Sequence, residues 1–164
     1  MAVEQVIIVD RDDHPIGLKP RPDITYDDIY RVAMLWATNS RGQILLAQRA
    51  FVKAQNGGLW GPAVGGTVSE GETYESNIYK EAEEEIGLTG LKFKAGPKLF
   101  SAADRQKFIQ WYTVTLDREL SSFKLQIEEV EQLEWVEPKA LAQDLAAHPE
   151  RYIPTANQWP GLFI

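Results

Sequence analysis

The chain has 164 residues, 44% hydrophobic and 25% charged, which suits one globular domain spanning residues 1–164 with a full hydrophobic core. Its 17 basic against 24 acidic residues leave a net charge of −7 with no run of Lys or Arg, so a nucleic-acid surface is excluded. Cysteine is absent, which rules out disulfides, thiolate zinc sites and a cysteine nucleophile, and no apolar run is long enough to cross a bilayer.

The N-terminal Met1-Ala2-Val3-Glu4-Gln5 lacks a basic-then-apolar signal, so a cytoplasmic protein is expected. Residues 3–9 predict a first strand, the polar stretch 10–13 a turn, and residues 14–18 its hairpin partner. A dimer through this hairpin is compatible with the sequence. Residues 20–28, rich in Pro and Asp, predict a loop. The apolar run 30–38 predicts a buried strand, and the turn Asn39-Ser40-Arg41-Gly42 leads into a second hairpin arm over 43–49. Residues 54–62 form another loop before a short glycine-rich strand at 63–68. Thr73 caps a helix that runs to about Ile86 and stops at Gly87. Further strands are expected at 91–93, 107–116 and 130–136, then a helix opened by Pro138 over 139–147. The tail from residue 152 holds two prolines and several aromatics and is expected to pack without regular structure. Strands on either side of a central helix predict an α+β or sandwich arrangement.

An acidic protein handles a phosphorylated substrate only if something local reverses the sign. The central helix offers such a device. Tyr74, Ile78, Ala82 and Ile86 form its apolar stripe at a spacing of four. At roughly 100° per residue, Glu85 projects into that stripe, Glu81 onto its edge and Glu84 farther round the same flank. Glu83 points to solvent. Clustered carboxylates repel, and partial burial adds a desolvation penalty that only a counter-charge offsets. A hard divalent cation such as Mg²⁺ or Mn²⁺ meets that need. Periodicity alone leaves open a second reading, in which the glutamates are simply a solvated helix face.

The flanking residues decide between them. Gly66, Glu72 and then Lys80-Glu81-Ala82-Glu83-Glu84-Glu85-Ile86-Gly87-Leu88 resemble the Nudix box, G-x5-E-x7-R-E-U-x-E-E-x-G-U, with every Gly and Glu in place. Two positions depart: Ala82 is smaller than the usual aliphatic residue, and Lys80 replaces an arginine that orients the glutamates through a planar fork. The resemblance implies the Nudix fold, an α/β/α sandwich with a mixed central sheet. It implies Glu81, Glu84, Glu85 and the Gly66 carbonyl as metal ligands, with Glu72 holding Lys80. It implies attack of a metal-activated water on a diphosphate linkage, with Glu81 or one of Glu128, Glu129 and Glu131 as general base. Arg49, Gly65 and Trp60 are candidate substrate contacts. Phe100, Trp111, Tyr112 and Trp159 could also stack a base, although buried core is the commoner use of aromatics, and only one of the adjacent Trp111 and Tyr112 can face a pocket.

Ile7-Ile8-Val9-Asp10, Pro15-Ile16-Gly17 and Tyr30-Arg31-Val32-Ala33 are similar to the isopentenyl-diphosphate isomerase branch of that superfamily. Those isomerases use a cysteine before the box and metal-binding histidines. Here the segment reads Ala63-Val64-Gly65-Gly66, Tyr30 stands where a histidine is expected, and His14 and His148 lie far apart in sequence. The better match is therefore an isomerase-like hydrolase acting on nucleoside di- or triphosphates. A non-catalytic nucleotide sensor is the alternative from another class.

Overall fold

The first hairpin pairs β1 (Gln5–Val9) with β2 (Pro15–Pro20), and β1 then lies against β3 (Ile29–Thr38). The computed structural model describes residues 2–164. β2 is an edge strand that leaves Ile16 and Leu18 exposed. β3 buries both of its faces, as its continuous apolar run requires. Ala33, Leu35 and Ala37 face one core cluster, while Tyr30, Val32, Met34 and Trp36 face the other.

β3 touches β4 (Ile44–Arg49) in register only at Thr38 and Ile44. Beyond that point the two strands take different partners. β4 pairs with β5 (Trp60–Pro62) and β9 (Val130–Val136), whereas β3 pairs with β6 (Val64–Thr67). The two arms expected to form a simple hairpin instead splay, and a cleft opens between them. On its other side β3 runs parallel to β8 (Lys107–Thr115), which pairs with β7 (Lys94–Ser101). The sheet is therefore mixed. β7 replaces the strand expected at 91–93. There Phe93 stacks on Tyr79 at 4.5 Å, and its backbone N–H donates to the Tyr79 hydroxyl.

The helix α1 (Tyr74–Ile86) covers one face of the sheet, with Ile78, Ala82 and Ile86 fully buried in the first cluster. Thr73 caps it in a reciprocal box with Ser76, and Gly87 ends it at φ 67°. The helix α2 (Pro138–Ala147) and the tail cover the opposite face through Leu141, Leu145, Tyr152 and Trp159. Two helical layers around one mixed sheet make the α/β/α sandwich. The tail is more ordered than its composition suggests, since Pro154–Gln158 form a 3₁₀ turn.

Candidate active site

The splay between β3 and β4 holds a cavity of about 860 Å³, bordered by β6, by α1 and by the segment before β9. Glu81, Glu84 and Glu85 line it, as do Gly65, Gly66, Lys80 and Arg49. Glu83 is exposed and outside it. α1 can sit this close to β6 because residue 66 has no side chain. A Cβ there would stand 2.4 Å from Glu81 Cγ and 2.8 Å from Asn77 Oδ1.

Around that contact the polar groups are wired together. Glu72 accepts from the backbone N–H of Ser69 at 3.0 Å and from Asn77 Nδ2 at 3.2 Å. Lys80 Nζ lies 3.1 Å from Glu72 Oε2 and 3.5 Å from Glu81 Oε1. Burial opposes the charge on Lys80, but Glu72, Glu81 and Glu84 outweigh it and raise its pKa. Asn77, in the variable spacer of the motif, was not singled out by sequence reasoning, because a polar residue there looks solvent-facing. It is fully buried and ties Glu72 to the Thr67 carbonyl.

The carboxylates differ in environment. Glu84 is exposed at the cleft wall, Glu81 is half-buried, and Glu85 is 9% exposed. Burial raises the Glu81 pKa, with Lys80 opposing. Burial pushes Glu85 well above the usual carboxylate range, and the charges of Glu81 and Glu129 add to it. Glu85 Oε1 is buried without a hydrogen-bond partner, as is Asn77 Oδ1. A buried carboxylate at the cleft wall, with one oxygen unpartnered and two more carboxylates lining the same cleft, is unfavourable unless a cation meets it. The donor set, all oxygen, suits a hard divalent ion.

The helix end also positions the distal glutamates. The C-terminal carbonyls of Glu85 and Ile86 accept from the backbone N–H groups of Gln126 and Lys124. This anchors the segment carrying Glu128 and Glu129 at the cleft, whereas Glu131, on β9, lies outside it. Glu129 is paired with Lys53, a cleft residue that no motif or spacing marks. Arg49 donates from Nε and Nη2 to the Gln55 carbonyl at 3.1 and 3.0 Å. Among the described residues, the one group of three His, Cys, Asp or Glu side chains with ligand atoms all within 4.8 Å of one another is Asp10, Asp12 and His14; Glu81, Glu84 and Glu85 share the cleft but stand farther apart than that. The first trio is turn geometry: Asp10 Oδ1 accepts the backbone N–H groups of Asp12 and His14, each at 2.9 Å.

Trp60, expected among the substrate contacts, stands away from the cleft, and the other aromatics take their commoner use in packing. None of Trp60, Phe100, Trp111, Tyr112 and Trp159 lines the cleft. Trp111 and Trp159 are fully buried in the second cluster, Tyr112 lies in the first, and Trp60 packs against the second. Phe100 stands edge-on to Phe108 at 5.4 Å. Burial of apolar area decides the place of Trp111, Tyr112 and Trp159, whereas Phe100 stays exposed.

A family model of the NUDIX domain matches residues 29–156. The chain belongs to the Nudix family. The Nudix hydrolase PA4841 of Pseudomonas aeruginosa is 26% identical over 162 residues, covering 98% of this chain and 94% of that protein. An isopentenyl-diphosphate Delta-isomerase of Leifsonia xyli subsp. xyli is 27% identical over 172 residues, covering 98% and 91%. The crystal structure of DR0079 from Deinococcus radiodurans superposes with a TM-score of 0.85 at 23% identity, over 98% of this chain and 100% of that one. That likeness runs across nearly the whole length, and the NUDIX domain of Shewanella oneidensis NrtR superposes as well, with a TM-score of 0.59 at 17% identity over 81% of this chain and 90% of that one, which shows the Nudix fold. The helix whose glutamates line the cleft lies within the residues that the family model matches.

Proposed function

We propose that the protein is a Nudix pyrophosphohydrolase, one domain over residues 1–164, that cleaves a diphosphate linkage in a nucleoside di- or triphosphate or a related nucleoside diphosphate. The observation that carries this reading is Glu85, a buried carboxylate with one oxygen unpartnered, which lines the cleft together with Glu81 and Glu84. Glu81, Glu84, Glu85 and the Gly66 carbonyl would hold Mg²⁺ or Mn²⁺. When bound, the ion acidifies a water and neutralises phosphoryl oxygens.

The chain's own residues do the rest. Lys80, held by Glu72, fixes the Glu81 carboxylate against the helix. Two cleft carboxylates, Glu81 and Glu128, can take the proton of the attacking water, since Glu129 is engaged with Lys53 and Glu131 lies outside. Arg49 spends only part of its donor set on Gln55 and has further N–H groups for a phosphate at the cleft wall.

A second reading, isomerisation of an isoprenyl diphosphate, is favoured by the Leifsonia relative. Against it stands the absence of cysteine from this sequence. The test is incubation of the pure protein with Mg²⁺ or Mn²⁺ and a panel of nucleoside di- and triphosphates beside isopentenyl diphosphate. Phosphate or pyrophosphate release, abolished by EDTA, is the expected result. Isomerised product without release would establish the second reading, and metal-dependent nucleotide binding without turnover would make the domain a sensor.

Lys80 yields a separate expectation. A point charge where a fork fits should support turnover less well than arginine. Lys80→Met is expected to lower kcat/KM by about 10–100-fold, the usual effect of removing a group that orients a ligand. Lys80→Arg is expected to match or exceed the wild type. Steady-state kinetics of the two variants decides it, and a Lys80→Met enzyme with wild-type kcat/KM would remove the orienting role.

A further inference from the structure

Asp13, in the turn of the first hairpin, is a buried carboxylate that the reaction chemistry does not use. Its Oδ1 accepts from Arg31 Nε of β3 at 2.7 Å. Its Oδ2 accepts from the Tyr74 hydroxyl at 2.9 Å and from Lys98 Nζ of β7 at 2.6 Å. Arg31 Nη2 donates to the Asp13 carbonyl at 2.7 Å. Burial raises the Asp13 pKa, but the hydrogen bonds from Lys98, Arg31 and Tyr74 outweigh burial and hold it below the usual range. The backbone at Asp13 is left-handed, with φ 63°. Glycine takes that conformation with less strain but brings no carboxylate.

Tyr74 is the first residue of α1, so this carboxylate grips the start of the helix that carries the cleft glutamates. Glu81 stands about two turns on, on nearly the same face and about 10 Å farther along the axis. The same hairpin also grips the segment that leads into the helix. The Glu70 N–H donates to the Gln5 carbonyl at 2.8 Å, the Ile7 N–H to the Val68 carbonyl at 3.4 Å, and the Ser69 hydroxyl to Glu4. Between these points and Tyr74 lies Glu72, the partner of Lys80 and Asn77. At its other end α1 meets β6 at Gly66 through Glu81 and Asn77, so a slide of the helix is felt first at that contact.

We propose that Asp13 is a positioning residue: by holding the Tyr74 hydroxyl it sets where α1 stops along β6, and so where Glu81 and Glu85 stand in the cleft. Its effect on turnover rests on the metal-site reading of those glutamates; the placement of the helix does not. A shared acceptor separates this role from plain stabilisation. Tyr74 and Lys98 donate to the same oxygen, one from the helix and one from β7. Deleting either donor removes one hydrogen bond from Asp13, but only the first frees α1. Arg31 lies over the Tyr74 ring, 5.3 Å from its centroid, and phenylalanine keeps that contact. Tyr74→Phe therefore deletes the hydroxyl alone.

The experiment compares the wild type with Tyr74→Phe, Lys98→Met and Asp13→Gly in three ways. These are the side-chain amide resonances of Asn77 in the metal-free protein, Mn²⁺ affinity, and steady-state hydrolysis of nucleoside di- and triphosphates. Asn77 reports on the contact of α1 with β6, because its buried Nδ2 donates to the Thr67 carbonyl. Tyr74→Phe is expected to shift those resonances, to weaken Mn²⁺ binding by about tenfold, and to lower kcat more than it raises KM. Lys98→Met is expected to melt at a lower temperature than the wild type while matching it in all three measurements. Asp13→Gly, which suits the left-handed turn, is expected to follow Tyr74→Phe; if it fails to fold, the matched pair decides alone. Unshifted Asn77 resonances in Tyr74→Phe, or equal effects from Tyr74→Phe and Lys98→Met, would overturn the proposal. A wild type that neither binds Mn²⁺ nor hydrolyses any nucleotide would remove the metal-site reading, and the Asn77 comparison would still decide whether Asp13 places the helix. Metal-dependent turnover that Tyr74→Phe leaves unchanged would keep the hydrolase and remove the positioning role.

Discussion

Replacing Glu85 with glutamine is expected to lower metal-dependent hydrolysis by more than about 100-fold and, in the metal-free protein, to raise thermal stability at neutral pH. The two effects share one cause. Glu85 sits at the inner side of α1, and burial, followed by the charges of Glu81 and Glu129, raises its pKa well above the ordinary 4.5, with Lys53 and Arg49 opposing. A carboxyl with a raised pKa in the folded state binds its proton more tightly there than in the unfolded chain. Stability therefore falls as pH rises from about the unfolded value through the folded one. Glutamine never ionises and escapes that loss, but it gives a cation a weaker, neutral ligand.

The check is melting temperature against pH in EDTA for both proteins, repeated with Mg²⁺. The wild type should lose stability as pH rises above about 4.5 and regain it with the metal, while Glu85→Gln should respond little to either. A glutamine variant with wild-type turnover, or one that melts below the wild type in EDTA at pH 7, would sink the account. Such a pairing of lost function with gained stability marks a residue kept for chemistry.

The parts of this site that local chemistry determines were legible in the sequence. Thr73 and Gly87 mark the ends of α1 because a hydroxyl cap and a left-handed glycine act within one turn of the chain. The inward phase of Glu85 follows from helix geometry, and the structure leaves Glu85 buried and Glu83 in solvent. β7 was missed because its exposed, proline-interrupted sequence, Lys94 to Ser101, has no apolar alternation, while the apolar Leu91 and Phe93 just before it pack on the core without being a strand. The wall of the cleft that Tyr30, Lys107 and Thr155 line was illegible for another reason. Tyr30 meets Lys107 only through the parallel register of β3 and β8, and Thr155 arrives from the tail. No spacing in one segment encodes a wall assembled from three.

The aromatic residues show the same boundary from the opposite side. Adjacent strand residues Trp111 and Tyr112 do point to opposite faces, as the pleat requires. Both faces, however, are core. Whether a strand has one wet face or none depends on the layers laid over it, and here α2 and the tail cover the face that would otherwise have offered a stacking platform.

Gly66→Ala is expected to lower turnover by about 10–100-fold and to cost about 1–3 kcal/mol of stability, whereas Gly65→Ala next to it should be nearly neutral. The difference lies in what each new methyl group meets. At residue 65 the nearest atom is Met34 Cγ at 3.7 Å, an ordinary contact. At residue 66 it is Glu81 Cγ at 2.4 Å, followed by Glu81 Cδ and Asn77 Oδ1 at 2.8 Å. Neither backbone needs a left-handed φ, so conformational preference does not separate the two. Relief at residue 66 comes most cheaply from the Glu81 side chain, which can swing away, and that motion carries its carboxylate out of the cluster and off Lys80. Part of the strain falls on Asn77, which holds Glu72 and the Thr67 carbonyl. Activity should thus suffer more than stability. Parallel kinetics and melts of the two alanine variants provide the measurement; equal effects from both would mean that the close approach of α1 to β6 does not set the position of Glu81.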